Sequence, residues 1–426
     1  MQFDPVIRDL SRFPRVEVPP LHPVTFSWPA PDAGDIGAAV RSALARCALP
    51  RITPGMRIAI GVGSRGIHGL PVIVRAAVDT LRAAGAAPFI VPAMGSHGGA
   101  TGDGQRAVLR DLGVTEASAG CPIHSSMDTV ALGEVGGAPA RMDRNAYEAD
   151  ATVIINRVKP HTSFGGPIQS GLAKMCAIGL GKQPVAEAIH ARGPDGLRGL
   201  IPPIARIVIE RGRVLGGLAI LENAAHQTAE VHGLTGAEIG GPAETALLAR
   251  AQALLPRIPF DKLDVLIVEE MGKNISGTGM DTNTIGRLFI PGIADPGHPQ
   301  ANVIVALDLT AETGGNANGI GLADIVTERL LAKVDWDAVR MNALTSGLLG
   351  LWRVKIPWVA ADEDQAIQLA LRMCGRPDSL GARVARIRNT LSLSEMAISD
   401  ALLPEALAAG ARSASSAKRG DADLAG

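Results

Sequence analysis

Three histidines, two lysines and a serine–arginine pair stand where their chemistry would be usable. His97 sits in Gly95-Ser96-His97-Gly98-Gly99, where glycines leave the ring open to a ligand. With an ordinary pKa of ~6.5, an imidazole takes or gives a proton near neutral pH. His161 follows Pro160, which biases Lys159 toward extended backbone, and opens a loop of small residues. Lys174 closes Ser170-Gly171-Leu172-Ala173-Lys174 beside an apolar stretch, and a partly desolvated lysine is a nucleophile. His190 lies sixteen positions later in a helical run. Gly61-Val62-Gly63-Ser64-Arg65-Gly66 offers backbone N–H groups and a guanidinium to an anion, without being a strict GxGxxG or a Walker loop. Lys273 and Asn274 occupy a comparable loop in the second half. Each feature also has a plain structural reading: a tight turn, an exposed or satisfied histidine, a lysine whose stem packs while its head reaches water.

The elements that must hold these residues read as alternating strands and helices. Short apolar runs at 57–62, 87–94 and 151–158 predict buried strands, and 214–222 another. Helical spacing covers 35–49, 70–84 and 101–112, the last two stopped by Gly85 and Gly113, and 237–255. Residues 121–125 are a possible further strand, with a hairpin region near Gly136-Gly137. After Pro256 the pattern restarts, with strands at 263–269, 302–309 and 356–360 and helices at 322–333 and 364–373. The fold class is α/β: two α/β domains with mostly parallel sheets and the active site in the cleft between them. The expected division is an extended Pro-rich arm over 1–34, a cofactor-binding and catalytic domain over 35–256, a second domain over 257–409, and a disordered tail over 410–426. Right-handed crossovers put successive strand C-termini on one sheet edge, so Ser64, Arg65, His97 and His161 should face one crevice.

Composition narrows the function. A formal charge of −1, with 3% aromatic residues, supplies neither a basic face nor a base-stacking platform, so nucleic acid is not an expected partner. Four scattered cysteines give no metal or disulfide framework and are expected to be reduced, in a cytoplasmic protein. No uncharged apolar run reaches the ~18 residues of a spanning helix, and the N-terminus lacks a signal-peptide core.

Taken in order, Ser64-Arg65, Gly95-Ser96-His97, Pro160-His161, Ser170-Gly171-Leu172-Ala173-Lys174 and His190 resemble the pattern of the nickel-dependent lactate racemase family. The resemblance covers roughly residues 35 to 190. It departs at Gly-Leu-Ala before Lys174, where the family has Gly-Gly-x, at Ser64 for the family's Thr, and in a longer gap between His161 and Lys174. It implies a racemase or C2-epimerase of a 2-hydroxy acid using a nickel-pincer nucleotide, a pyridinium-3,5-bisthiocarboxylate mononucleotide carrying Ni. By the same resemblance, Lys174 would carry this cofactor covalently and His190 would ligate nickel. Ser64 and Arg65 would bind the cofactor. His97 and His161 would be the paired acid–bases of a hydride route through a 2-keto acid. Arg65 and Lys273 would contact the substrate, a small 2-hydroxy acid or a sugar acid. Cofactor-maturation proteins would be partners, and a membrane would not. Two other readings stay open: a metal-assisted hydrolase or lyase with His97, His161 and His190 around one metal, and a non-enzymatic binder of an anionic metabolite.

Overall fold

The computed structural model describes residues 5–7, 9–64 and 66–413. The chain divides into two compact units, one of Met1–Trp28 with Pro256–Gly426 and one of Pro29–Leu255. Both are α/β with mostly parallel sheets.

The Pro29–Leu255 unit is built on a five-stranded sheet. Its spatial order is Ala87–Pro92, Arg57–Val62, Ala151–Arg157, Val214–Glu222, Thr228–Thr235. The first four strands are parallel and the last is antiparallel. Strands buried on both faces read as continuous apolar runs, and all nine residues of Val214–Glu222 are buried. Helices Ile36–Cys47 and Leu70–Ala83 bury Val40, Leu44, Ile73, Val74 and Leu81 against Ile58, Ile60, Val153 and Leu218 of the sheet. Asp35 caps the first helix by accepting from the Ala38 N–H at 3.0 Å. Residues 121–125 differ from expectation. Ile123 makes only an isolated bridge to Ile90, because Pro122 breaks the run. A two-stranded hairpin, Thr129–Val135 with Ala138–Asp143, turns at Gly136-Gly137. Helix Gly193–Arg211, with Pro202 and Pro203 inside it, was not anticipated.

The other unit carries a nine-stranded sheet. Strands Val6–Ile7, Trp358–Ala360, Ile325–Thr327, Gln300–Ala306, Lys262–Val268 and Val384–Ile387 run parallel. Glu395–Ser399, Leu21–Thr25 and Arg412–Ser413 then add antiparallel. Leu21–Thr25 therefore lies inside a sheet rather than along a surface arm. Val24 and Phe26 bury inward, a two-residue alternation hidden by the surrounding prolines. Residues 322–333 are not one helix. Asp324 accepts from Ile304 N–H and Arg287, and the run becomes a strand, with Thr327 capping a short helix Glu328–Leu331. The tail expected from 410 begins with a paired strand, and residues 414–426 lie outside the described residues. Among the described residues no helix is long and apolar enough to cross a membrane.

Candidate functional site

Parallel strands Ala87–Pro92, Arg57–Val62 and Ala151–Arg157 are neighbours, so the loops after them leave one edge of the sheet together. Those loops carry His97, Ser64 and His161 respectively. Ser64 Oγ lies 2.9 Å from His97 Nδ1. The same Nδ1 lies 2.9 Å from the Met94 carbonyl oxygen. A carbonyl only accepts, so Nδ1 must carry the proton, and in the neutral ring Nε2 keeps its lone pair. Gly95 turns this loop with φ +60°, and a Cβ there would sit 3.1 Å from Ile178 Cγ2.

The loop after Ala151–Arg157 is closed on itself. Ser170 Oγ accepts from the Lys159 N–H at 2.9 Å and donates to the Lys159 carbonyl at 2.7 Å. His161 N–H donates to Gln169 Oε1 at 2.9 Å. The Ser163 N–H donates to His161 Nδ1 at 3.1 Å, so a neutral His161 carries its proton on Nε2. The two imidazoles are thus set in opposite tautomers. The Phe164 ring packs against His161 at 4.5 Å and takes the Lys174 ammonium at 5.7 Å from its centroid.

Lys174 ends a helical turn, Leu172–Lys174, that widens into a π-helical turn, Met175–Gly179. Such turns recur at functional sites. The turn starts on a buried carboxylate. Glu244 Oε1 accepts from the Leu172 N–H at 2.6 Å and the Ala173 N–H at 3.2 Å, and Oε2 from the Gly240 N–H at 2.8 Å. Burial raises the Glu244 pKa, and the three N–H groups oppose that rise. Asn156 Nδ2 donates to the Gly171 carbonyl at 2.9 Å. Gly171 has φ +116°, and a Cβ there would lie 2.4 Å from Glu244 Oε1. Glycine is required at this position on both counts, whereas Leu172 contributes its N–H and a buried side chain.

His190 closes helix Lys182–His190, and its Nδ1 lies 2.6 Å from the Ala186 carbonyl one turn earlier. Nδ1 therefore holds the proton of the neutral ring and leaves Nε2 a lone pair. Burial depresses the His190 pKa, the Ala186 bond opposes this, and the nearby Lys174 ammonium adds to the depression. A neutral imidazole with a bare nitrogen beside a lysine is the donor a metal needs. Among the described residues no three His, Cys, Asp or Glu side chains group as a metal site. His97, His161 and His190 thus do not surround one metal. His190 is one imidazole with Nδ1 committed to the Ala186 carbonyl and Nε2 left as a possible donor.

Two further residues belong to the expected site. Arg65 lies outside the described residues. Lys273 belongs to the unit containing Pro256–Gly426, where its ammonium donates to Asn342 Oδ1. All four cysteines are free and buried; burial pushes the Cys47 and Cys121 thiols up to about 11 and raises that of Cys176, so these three are not poised nucleophiles. Sequence reading passed over Glu244, Gln105, Asp143 and Lys182. Asp143 opens a short helix by accepting from the Ala146 N–H, so it reads as an ordinary cap. Glu244 sits in the first turn of Pro242–Leu254, where acidic residues are common. Lys182 alone carried a signal, a charge within the apolar run from Met175 to Val185.

The class defined by this arrangement is a two-unit α/β protein in which the loops carrying Ser64, His97 and His161 follow neighbouring parallel strands of one sheet. No protein-family model and no curated protein matches the sequence. Among solved structures, the fold is similar to that of the lactate racemase apoprotein from Thermoanaerobacterium thermosaccharolyticum. The two share 15% identity over 88% of this chain and 99% of that one, with a TM-score of 0.51. A protein from Thermotoga maritima is similar at 13% identity over 66% of this chain and 72% of its own, with a TM-score of 0.46. The chain has a lactate racemase-like fold.

Proposed function

We propose that this chain is a racemase or C2-epimerase of a 2-hydroxy acid that works with a nickel-pincer nucleotide held by Lys174 and His190. The observation that carries the reading is the His190 imidazole, with Nδ1 committed to Ala186 and its pKa held down beside Lys174. The lactate racemase-like fold supports it at the level of architecture. When bound, the nickel-pincer group supplies a hydride acceptor and donor for the carbon bearing the hydroxyl.

The chain's own residues do the proton work. His97 takes the substrate hydroxyl proton at Nε2, and its Nδ1–H on the Met94 carbonyl stabilises the resulting imidazolium. In the neutral state His161 offers Nε2–H to the substrate oxygen as a hydrogen-bond donor; to take the hydroxyl proton of the other enantiomer at Nε2 it first moves its own proton to Nδ1, giving up the bond from the Ser163 N–H. Ser64 and Arg65 are assigned to the nucleotide, and the substrate carboxylate calls for a cation, the role assigned to Arg65. Proteins that build the cofactor are the partners this reading requires.

The test is a substrate deuterated at C2, racemised by cofactor-loaded protein. Retention of deuterium at C2 with a primary isotope effect is the expected result. Full exchange of C2 deuterium with solvent overturns the hydride reading.

A further inference from the structure

Beneath the His97 loop lies a buried charge that the proposed chemistry does not use. Lys182 and Asp143 are both fully buried, with Nζ 3.1 Å from Asp143 Oδ2. Lys182 Nζ also donates to the Pro92 carbonyl at 2.6 Å and to Gln105 Oε1 at 2.8 Å. The ammonium thus makes two hydrogen bonds, and the Asp143 carboxylate stands beside it as the ion-pair partner. Burial lowers the Lys182 pKa and raises that of Asp143, and each charge offsets part of the cost of the other. Lys182 holds φ +57°, a conformation uncommon outside glycine, so the backbone accepts strain where it brings this side chain inward.

Gln105 connects the ammonium to the loop. It is fully buried, and its Nε2 donates to the Gly95 carbonyl at 2.9 Å and the His97 carbonyl at 3.3 Å. An ammonium only donates and backbone carbonyls only accept. One orientation of the amide satisfies both sides, with its oxygen toward Lys182 and its nitrogen toward the loop. Removing the ammonium leaves the Gln105 oxygen without that donor and frees the amide to turn. The same loop is tied at its start, where the Gly95 N–H donates to the Gly179 carbonyl at 3.1 Å.

We infer that Lys182 is a positioning residue for His97: acting through Gln105, it holds the Gly95–His97 backbone where the imidazole Nδ1 meets the Met94 carbonyl. Its catalytic consequence rests on the acid–base role proposed for His97. The tautomer it enforces can be read without cofactor or turnover.

The experiment is long-range proton–nitrogen NMR of the full chain labelled with ¹⁵N-histidine, with His97→Gln identifying the His97 signals. The variants are Gln105→Met, which keeps length but loses the amide, and Lys182→Met paired with Asp143→Leu, which removes both buried charges. The wild-type chain is expected to show His97 as the Nδ1–H tautomer. In folded variants, His97 should lose that preference and populate Nε2–H, with His161 and His190 unchanged. An unchanged His97 spectrum in folded Gln105→Met overturns the inference, whatever the doubly substituted chain does. Loaded wild-type protein that shows the His97 tautomer but no racemisation would sink the proposed function and leave this inference standing.

Discussion

His190 Nδ1 and the carbonyl oxygen of Ala186 lie 2.6 Å apart across one turn of the same helix. That bond spends the only N–H of a neutral ring and leaves the lone pair on Nε2. The lowered pKa of the ring has a thermodynamic counterpart. The folded value lies below the unfolded value of ~6.5, so the unfolded chain binds more protons as pH falls. The contribution of His190 to stability is complete above ~6.5 and is lost as pH drops toward the lowered folded value. Urea unfolding at pH 7.5 and 5.5 should show a smaller pH dependence in His190→Leu than in the wild-type chain. Equal dependence would contradict a buried, neutral His190.

Glu244 should matter to Lys174 without touching it. Glu244→Ala leaves the Leu172, Ala173 and Gly240 N–H groups without their acceptor. Bonds to a charged acceptor are worth about 1.5–3 kcal/mol each, with relaxation and water reducing the sum. A loss of about 2–4 kcal/mol in urea unfolding is the expected outcome. Glu244→Gln should lose less, because only the Gly240 contact is turned into a donor facing a donor.

Gly171→Ala meets two penalties, the left-handed φ of +116° and a Cβ 2.4 Å from Glu244 Oε1. Strain at such positions costs about 1–3 kcal/mol. The expected chain is destabilised by at least that amount in thermal unfolding and slower to take up the cofactor. Leu172→Gly, which restores the Gly-Gly of the lactate racemase pattern, should leave the turn intact and cost mainly buried apolar contact. Wild-type stability in Gly171→Ala would show that the turn is not built as described.

Breaking the Lys182–Asp143 pair on one side strands a buried charge. Lys182→Met alone should cost about 3–5 kcal/mol, whereas the double replacement with Asp143→Leu should recover much of it. A double variant no more stable than Lys182→Met would contradict the pairing.

The strands that position the site were readable because burial on both faces leaves a continuous apolar run, as at Arg57–Val62 and Val214–Glu222. Topology then predicted that Ser64 and His97 would leave one sheet edge, and they stand 2.9 Å apart. Local signals failed where tertiary packing overrode them. Proline disfavours a helix interior, yet helix Gly193–Arg211, which the sequence reading did not include, continues through Pro202 and Pro203. The prolines around Leu21–Thr25 concealed a strand that has its partner 370 positions on, Thr25 opposite Glu395. The supports of the site were hidden for the same reason. Nothing near Gln105 in the sequence announces that its partner is Lys182, because that bond exists only once sheet and helix have packed.

Loss of His97 or His161 should reduce racemisation of a responsive 2-hydroxy acid by about 10²–10⁴-fold. Under the proposed roles, neither His97→Gln nor His161→Gln should prevent cofactor uptake, which is assigned to Lys174 and His190. Measured nickel content equal to wild type, with activity lost, is the expected pair of results. Nickel lost along with activity would move the histidine concerned into the cofactor site.

In the proposed function Lys174 and His190 hold one cofactor between them. Intact-mass spectrometry with nickel analysis, on chain produced together with the cofactor-building enzymes, tests it most directly. A mass adduct is expected on the wild-type chain and absent in Lys174→Ala, with nickel bound to wild-type protein and lost in His190→Ala. No adduct and no nickel on a wild-type chain produced in a host shown to load a lactate racemase would contradict it.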